Sequence, residues 1–193
     1  MLTNEAVAQA TKAPIGNVEV SWPLVVAAIE RRGYSSKNVL IGAAATIAVE
    51  TGVSYDIDLD GHKDNCSFLP IKELGGDAYL NKLYDKRTDL GNTPEADGDG
   101  ARWAGRGLIQ TTGHDNYVKV AQHTEIRCDI DPDLLLLPEN AAEAFAYQFQ
   151  VLGAARAADE GDWERCRRRV NGGTNGMGLF LALIPRLEEA WED

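Results

Sequence analysis

"SKNVLIGAAATIAVETG", residues 36–52, decides the fold. Ser36 is of the type that caps a helix N-terminus. After it, small and aliphatic residues recur at Leu40, Ala44, Ile47 and Ala48, which predicts a helix with a buried stripe. Glu50 ends the pattern just before Gly52. At eleven residues, the apolar run 39–49 is too short to span a bilayer.

The same signals continue outward on both sides. Ser21, Pro23 and Gly33 read as the cap, first turn and stop of a helix over "WPLVVAAIERRG". Further helices are expected over 76–86, 115–124, 138–158, 163–170 and 177–191, with Asn140 a candidate cap and Pro185 a kink. Residues 89–107, rich in Gly, Asp and Pro, read as a long structureless loop of the kind that carries function. "RGLIQTT" is one short strand candidate. The expected fold class is mainly α, in a single domain over 1–193.

Composition limits the function. With 193 residues, 44% of them hydrophobic, the chain can bury a real core. A formal charge of −11 argues against nucleic-acid partners, because phosphate contacts need clustered Lys and Arg. The one basic run, "ERCRRRV" at 164–170, reads as a solvated helix end. Cys66, Cys128 and Cys166 are odd in number and lack CxxC spacing, so no complete disulfide framework is expected. His62, His114 and His123 make no zinc pattern. The N-terminus shows no basic region followed by an apolar stretch, so cytoplasmic synthesis without a signal peptide is expected.

"GARWAGRGLIQTTGHDNY", 100–117, resembles the most recognisable segment of glycoside hydrolase family 19, which includes chitinases and phage endolysins. Trp103, Gly105-Arg106-Gly107, Ile109-Gln110, Gly113 and Asn116-Tyr117 carry it. "AVETG" at 48–52, "YDKRTDLGNT" followed by "DGDG" within 84–100, and "VNGG" at 170–173 follow the family's order. The likeness spans about residues 35–175, and "DLGNT" looks more like the endolysin branch. It implies a lysozyme-like α-helical fold with a small loop and short-strand lobe.

The resemblance also implies site residues. Glycoside hydrolysis needs one acid to protonate the leaving oxygen and one carboxylate to activate water, about 6.5–9.5 Å apart in inverting enzymes. Glu50 matches the general acid. Counting ten further lands on Asp60, but "SFLPIKELGG" resembles the segment that carries the second carboxylate, which favours Glu73. Thr112 matches the hydroxyl that holds the attacking water. Gln110, Tyr117 and Asn171 would line the sugar cleft, Arg106 would brace the acidic site, and Trp103 would stack on a sugar or fill the core.

Between the two acids lies "DIDLDGHKD", within an insert at 54–67. Asp56, Asp58, Asp60 and Asp64, with Gly61 for the turn and the carbonyl of His62, follow an EF-hand-like calcium loop. Ser67 stands at position twelve instead of Glu, which lowers the expected affinity.

The expectation is therefore a calcium-dependent endolysin, a muramidase-type hydrolase of the β-1,4 glycan strands of peptidoglycan. It would act as a monomer, without membrane insertion or an organic cofactor, on the bacterial wall after release from the host cytoplasm. The rivals are a chitinase using the same residues, a lytic transglycosylase needing only Glu50, and a non-catalytic calcium-stabilised wall-binding module.

Overall fold

The computed structural model describes residues 1–53 and 64–192. It is mainly α-helical with very little strand, the architecture the resemblance implied. The helices α1 (Asn4–Thr11), α2 (Ile15–Arg31) and α3 (Lys37–Glu50) lead into a small lobe. That lobe holds β1 (Ile71–Lys72), α4 (Asp77–Tyr84), α5 (Asp99–Arg102) and β2 (Arg106–Gly107). Then follow α6 (His114–Thr124), α7 (Pro138–Val151), α8 (Ala154–Asp159), α9 (Trp163–Asn171) and α10 (Met177–Glu189). Among the described residues no helix is long and apolar enough to cross a membrane.

Helix α3 is the axis of the fold. Ser36 accepts a hydrogen bond from the Val39 N–H, so the expected cap is observed. Every residue from Val39 to Ala48 is buried, not only one stripe. An all-round apolar helix is stable only when covered on every side, and α8 and α10 pack directly against it. Its small residues permit this: a Cβ on Gly42 would stand 2.9 Å from the Ala158 Cβ. The buried hydroxyls of Thr46 and Thr51 donate to the carbonyls of Gly42 and Ile47, one turn back.

Several boundaries differ from the sequence reading. α2 begins at Ile15, so Ser21 is a buried mid-helix residue and not a cap, and Pro23 lies inside the helix. α1 is an additional helix. The expected helix over 138–158 is broken by Gly153, whose φ of 77° ends α7 and starts α8. Asn140 does not cap α7; Pro138 takes the first position, and the Asn140 amide donates to Leu134 O. The 89–107 segment is not structureless: it begins within a 3-10 turn, Thr88–Leu90, and holds α5 and β2. α10 continues through Pro185.

In the small lobe, β1 and β2 pair antiparallel, Ile71 with Gly107 and Lys72 with Arg106. Arg106 also bridges to Thr111, so the strand candidate "RGLIQTT" supplies the two-residue strand β2 and then turns back on itself as a tight hairpin. This hairpin rests on a second core of Trp103, Tyr117, Val120, Leu135 and Tyr147.

Candidate active site

A cleft of about 540 Å³ is lined by Glu50, Glu73, Tyr84, Gln110, Thr112 and Asn171, among others. Several separate pieces of chain build it: the end of α3, the small lobe with the segment after it, the start of α6, the end of α7 and the end of α9.

Glu50 is the last residue of α3, and its side chain is 14% exposed. The Arg167 guanidinium, from α9 and 3% exposed, donates to its Oε1 and forms an ion pair with it. Arg167 Nε also donates to Asn175 O at 3.0 Å, which fixes the direction of the fork. Gly176, at φ 69°, lies against this pair. A Cβ there would come within 2.5 Å of Val49 Cγ1 and 3.1 Å of Arg167 Nη2. The sequence reading of residues 164–170 as a solvated helix end is therefore wrong at Arg167. Glu50, almost buried at the helix end, needs a cation, and Arg167 is one turn from the cleft-lining Asn171.

Glu73 follows β1 and is held through both oxygens. Tyr84 Oη donates to Oε1 at 2.8 Å, and the Gly105 N–H donates to Oε2 at 3.1 Å. The Glu73 N–H in turn donates to Gly105 O at 2.8 Å. Burial, then the Glu73 carboxylate it faces, push the Tyr84 hydroxyl up to about 12. It therefore stays protonated and keeps donating.

Gly105 also shows how the remaining polar atoms converge. A Cβ there would meet Gln110 Oε1 at 2.8 Å, Thr112 Oγ1 at 3.1 Å and Glu73 Oε2 at 3.3 Å. Only a residue without a side chain lets these three groups surround one point. Thr112 Oγ1 donates to Gln110 O at 2.9 Å, which leaves its lone pairs to accept from a water beside Glu73. Gln110 takes a left-handed backbone, φ 55°, and its Nε2 donates to Ile71 O and Gly107 O. It lines the cleft while tying the hairpin to β1.

Among the expected site residues, Glu50, Glu73, Thr112, Gln110 and Asn171 reach the cleft. Tyr117 does not. It is wholly buried in the second core, donating to Ala104 O and accepting from Arg106 Nη1. Trp103 is 3% exposed, packs against Tyr117 and His114, and donates to Asp99, so it fills core rather than facing sugar. Arg106 pairs with Asp133 and donates to Arg102 O and Ala104 O. It braces the 102–106 backbone and touches neither cleft carboxylate. An aromatic or Arg in a shared motif can be held for packing as readily as for contact.

Of the proposed calcium ligands, Asp56, Asp58, Asp60 and His62 lie outside the described residues, and Asp64 is half-buried at their edge. Among the described residues no cluster of His, Cys, Asp or Glu could hold a metal. The ends of the insert are pinned to each other just after Glu50. Gly52 bridges to Cys66, Val53 N donates to Asn65 O, and Ser67 N donates to Thr51 O. The three thiols are buried and free; burial pushes Cys66 and Cys166 up to about 12 and Cys128 to about 11. They have no part in nucleophilic chemistry.

Sequence reasoning missed Arg167, Tyr84, Asn116 and Gln148. The last three line the cleft, and Asn116 also donates to Thr112 O at 2.8 Å. Asn116 stood within the matched motif and could have been found; Arg167 was masked by its charged neighbours.

No family model matches the chain. Over 109 residues, 54% of its length, it is 36% identical to a glycosyl hydrolase family 19 domain-containing protein of Haemophilus influenzae. The aligned part covers 51% of that protein, so the chain spans about half the length of the curated relative it matches. The similarity therefore points toward glycoside hydrolase family 19 over about half of each chain.

Proposed function

We propose that the chain is a single catalytic domain that hydrolyses β-1,4 glycosidic bonds in peptidoglycan, as a muramidase-type endolysin. The observation that carries the reading is one cleft holding two carboxylates in different settings, with a hydroxyl beside the second. Glu50, ion-paired with Arg167 in the resting protein, must first take up a proton, which it then donates to the leaving oxygen as the bond breaks. It is then an anion, and the adjacent Arg167 guanidinium stabilises it. Glu73 takes a proton from a water that also hydrogen-bonds Thr112, and that water attacks the sugar from the opposite face, with inversion. Leu90, Ile109, Leu152 and Val170 give the cleft apolar walls for sugar faces, while Gln148 and Asn171 add polar groups.

Calcium belongs to the proposal through the EF-hand-like pattern of Asp56, Asp58, Asp60, His62 and Asp64, where it would offset the repulsion of crowded carboxylates. Action as a monomer on the wall after release from a host cell completes it.

The test is mass spectrometry of products from purified peptidoglycan, with chitin oligomers run beside it. Reducing-end N-acetylmuramic acid supports the muramidase reading. Cleavage of the oligomers alone makes the protein a chitinase, and anhydro-sugar ends make it a transglycosylase. Failure to cleave any of these, by a folded protein, leaves only the binding-module reading.

A further inference from the structure

We propose that Tyr84 is a positioning residue for the reaction, acting through Glu73 rather than on substrate; this rests on the assignment of Glu73 as base. The geometry carries it. A carboxylate has two oxygens, and Glu73 receives one fixed neutral donor on each: Tyr84 Oη on Oε1 and the Gly105 N–H on Oε2. One donor would leave the group free to turn about its last bond. Two donors from different elements, α4 and the loop before β2, set its plane. Oε2, on the Gly105 side, is then the oxygen that shares a point with Thr112 Oγ1. Tyr84 thus directs the second oxygen toward the water while occupying the first.

The surroundings leave this task to Tyr84. Besides Tyr84, α4 and the turn after it bring Arg87 to the cleft, and Arg87 is already engaged by Asp89 through Nε and Nη2. The 105–112 segment and α6 contribute only neutral groups to the cleft: Gly105 N–H, Gln110, Thr112 and Asn116. The other charged cleft carboxylate, Glu50, is taken by Arg167. Among the described residues no cation is paired with Glu73, so its negative charge is held by hydrogen bonds alone. A neutral donor suits a base: it steadies the anion without the long-range attraction of a full positive charge, which would oppose proton uptake. The high pKa of the Tyr84 hydroxyl keeps it a donor throughout the working range.

The test compares wild type, Tyr84→Phe, Glu73→Gln and a variant carrying 3-fluorotyrosine at 84, using the bond the wild type cleaves. Phe keeps the half-buried ring and loses only the hydroxyl. The expected result is a fall in kcat of about ten- to a hundredfold, the scale of one lost hydrogen bond to a charged group. KM should change less than about twofold, since no sugar contact is removed. The acid limb of the kcat/KM profile should move up by about one pH unit. Fluorotyrosine keeps the ring and hydroxyl but donates more strongly, and should move the limb the other way. Wild-type kcat and an unmoved limb in both Tyr84 variants, with Glu73→Gln inactive, overturn the Tyr84 role alone. Wild-type turnover in Glu73→Gln overturns the base assignment, and the Tyr84 role with it.

Discussion

At the scale of single residues, the two cleft carboxylates differ in what holds them. Glu50 has a buried guanidinium, and Glu73 has two neutral donors. Glu50→Gln cannot supply a proton and should lower kcat by about a hundred- to ten-thousandfold with the fold kept; near wild-type wall clearing by the folded variant would remove Glu50 from the chemistry. Arg167→Met leaves a nearly buried carboxylate unpaired, a loss of about 3 kcal/mol or more. The melting temperature should then fall by about 6 °C or more. Arg167→Lys should restore little, because an ammonium cannot reach both Glu50 and Asn175 O in the same fork. An unchanged melting curve for Arg167→Met would show the pair to be idle. Glu50 was legible because it closes an apolar helix inside a matched motif. Arg167 was not, because nothing local separates it from Arg165, Arg168 and Arg169, which face water. Only the packing of α9 on the end of α3 decides which arginine turns inward.

Among the elements, α3 was legible to the residue, because cap, apolar run and terminal carboxylate agreed. α2 was misread at its start: Ser21 and Pro23 imitate a helix beginning, but the helix passes through both. Tertiary burial overrides a local cap signal when the flanking turns can also be covered. Gly42 tests the packing of α3 directly. In an exposed helix Gly→Ala would stabilise by about 1 kcal/mol. Here the new methyl would meet the Ala158 Cβ at 2.9 Å, between two backbones that cannot give way cheaply. Gly42→Ala should therefore lower urea stability by about 1–3 kcal/mol; a gain would mean the α3–α8 contact is loose. The acidic insert makes another element-scale prediction. Its ends are joined to each other just after Glu50, so calcium should raise the melting temperature more than it raises kcat. Calorimetric titration of chelator-stripped protein should give a dissociation constant of about 10⁻⁵ to 10⁻³ M. Neither heat nor a melting shift at several times that range would return these aspartates to a solvated loop.

For the whole molecule, the mainly helical class could be read from periodicity and capping alone, while the small lobe could not. Two-residue strands and a four-residue helix leave no periodic trace; glycines at 91, 98, 105, 107 and 113 and their hydrogen bonds define that lobe instead. The matched motif located the lobe without explaining it: three of its five expected site side chains, Trp103, Arg106 and Tyr117, are buried and do not reach the cleft. Charge is the property that only the complete chain has. A formal −11 on 193 residues faces, in the proposed substrate, a wall rich in anionic polymers. Encounter is then opposed at long range, and salt weakens that repulsion as the screening length falls from about 30 Å at 0.01 M to about 8 Å at 0.15 M. Raising sodium chloride across this interval should speed the clearing of intact walls several-fold, through the association step. The same change should leave the cleavage of short uncharged oligosaccharides nearly constant, because the chemistry lies within a cleft whose charges are already paired or hydrogen-bonded. Turbidity loss of wall suspensions and product release from soluble oligomers, run in the same salt series, separate the two. Wall clearing that slows as salt rises would mean that attraction, through a cationic patch on the wall or the protein, governs encounter instead of net charge.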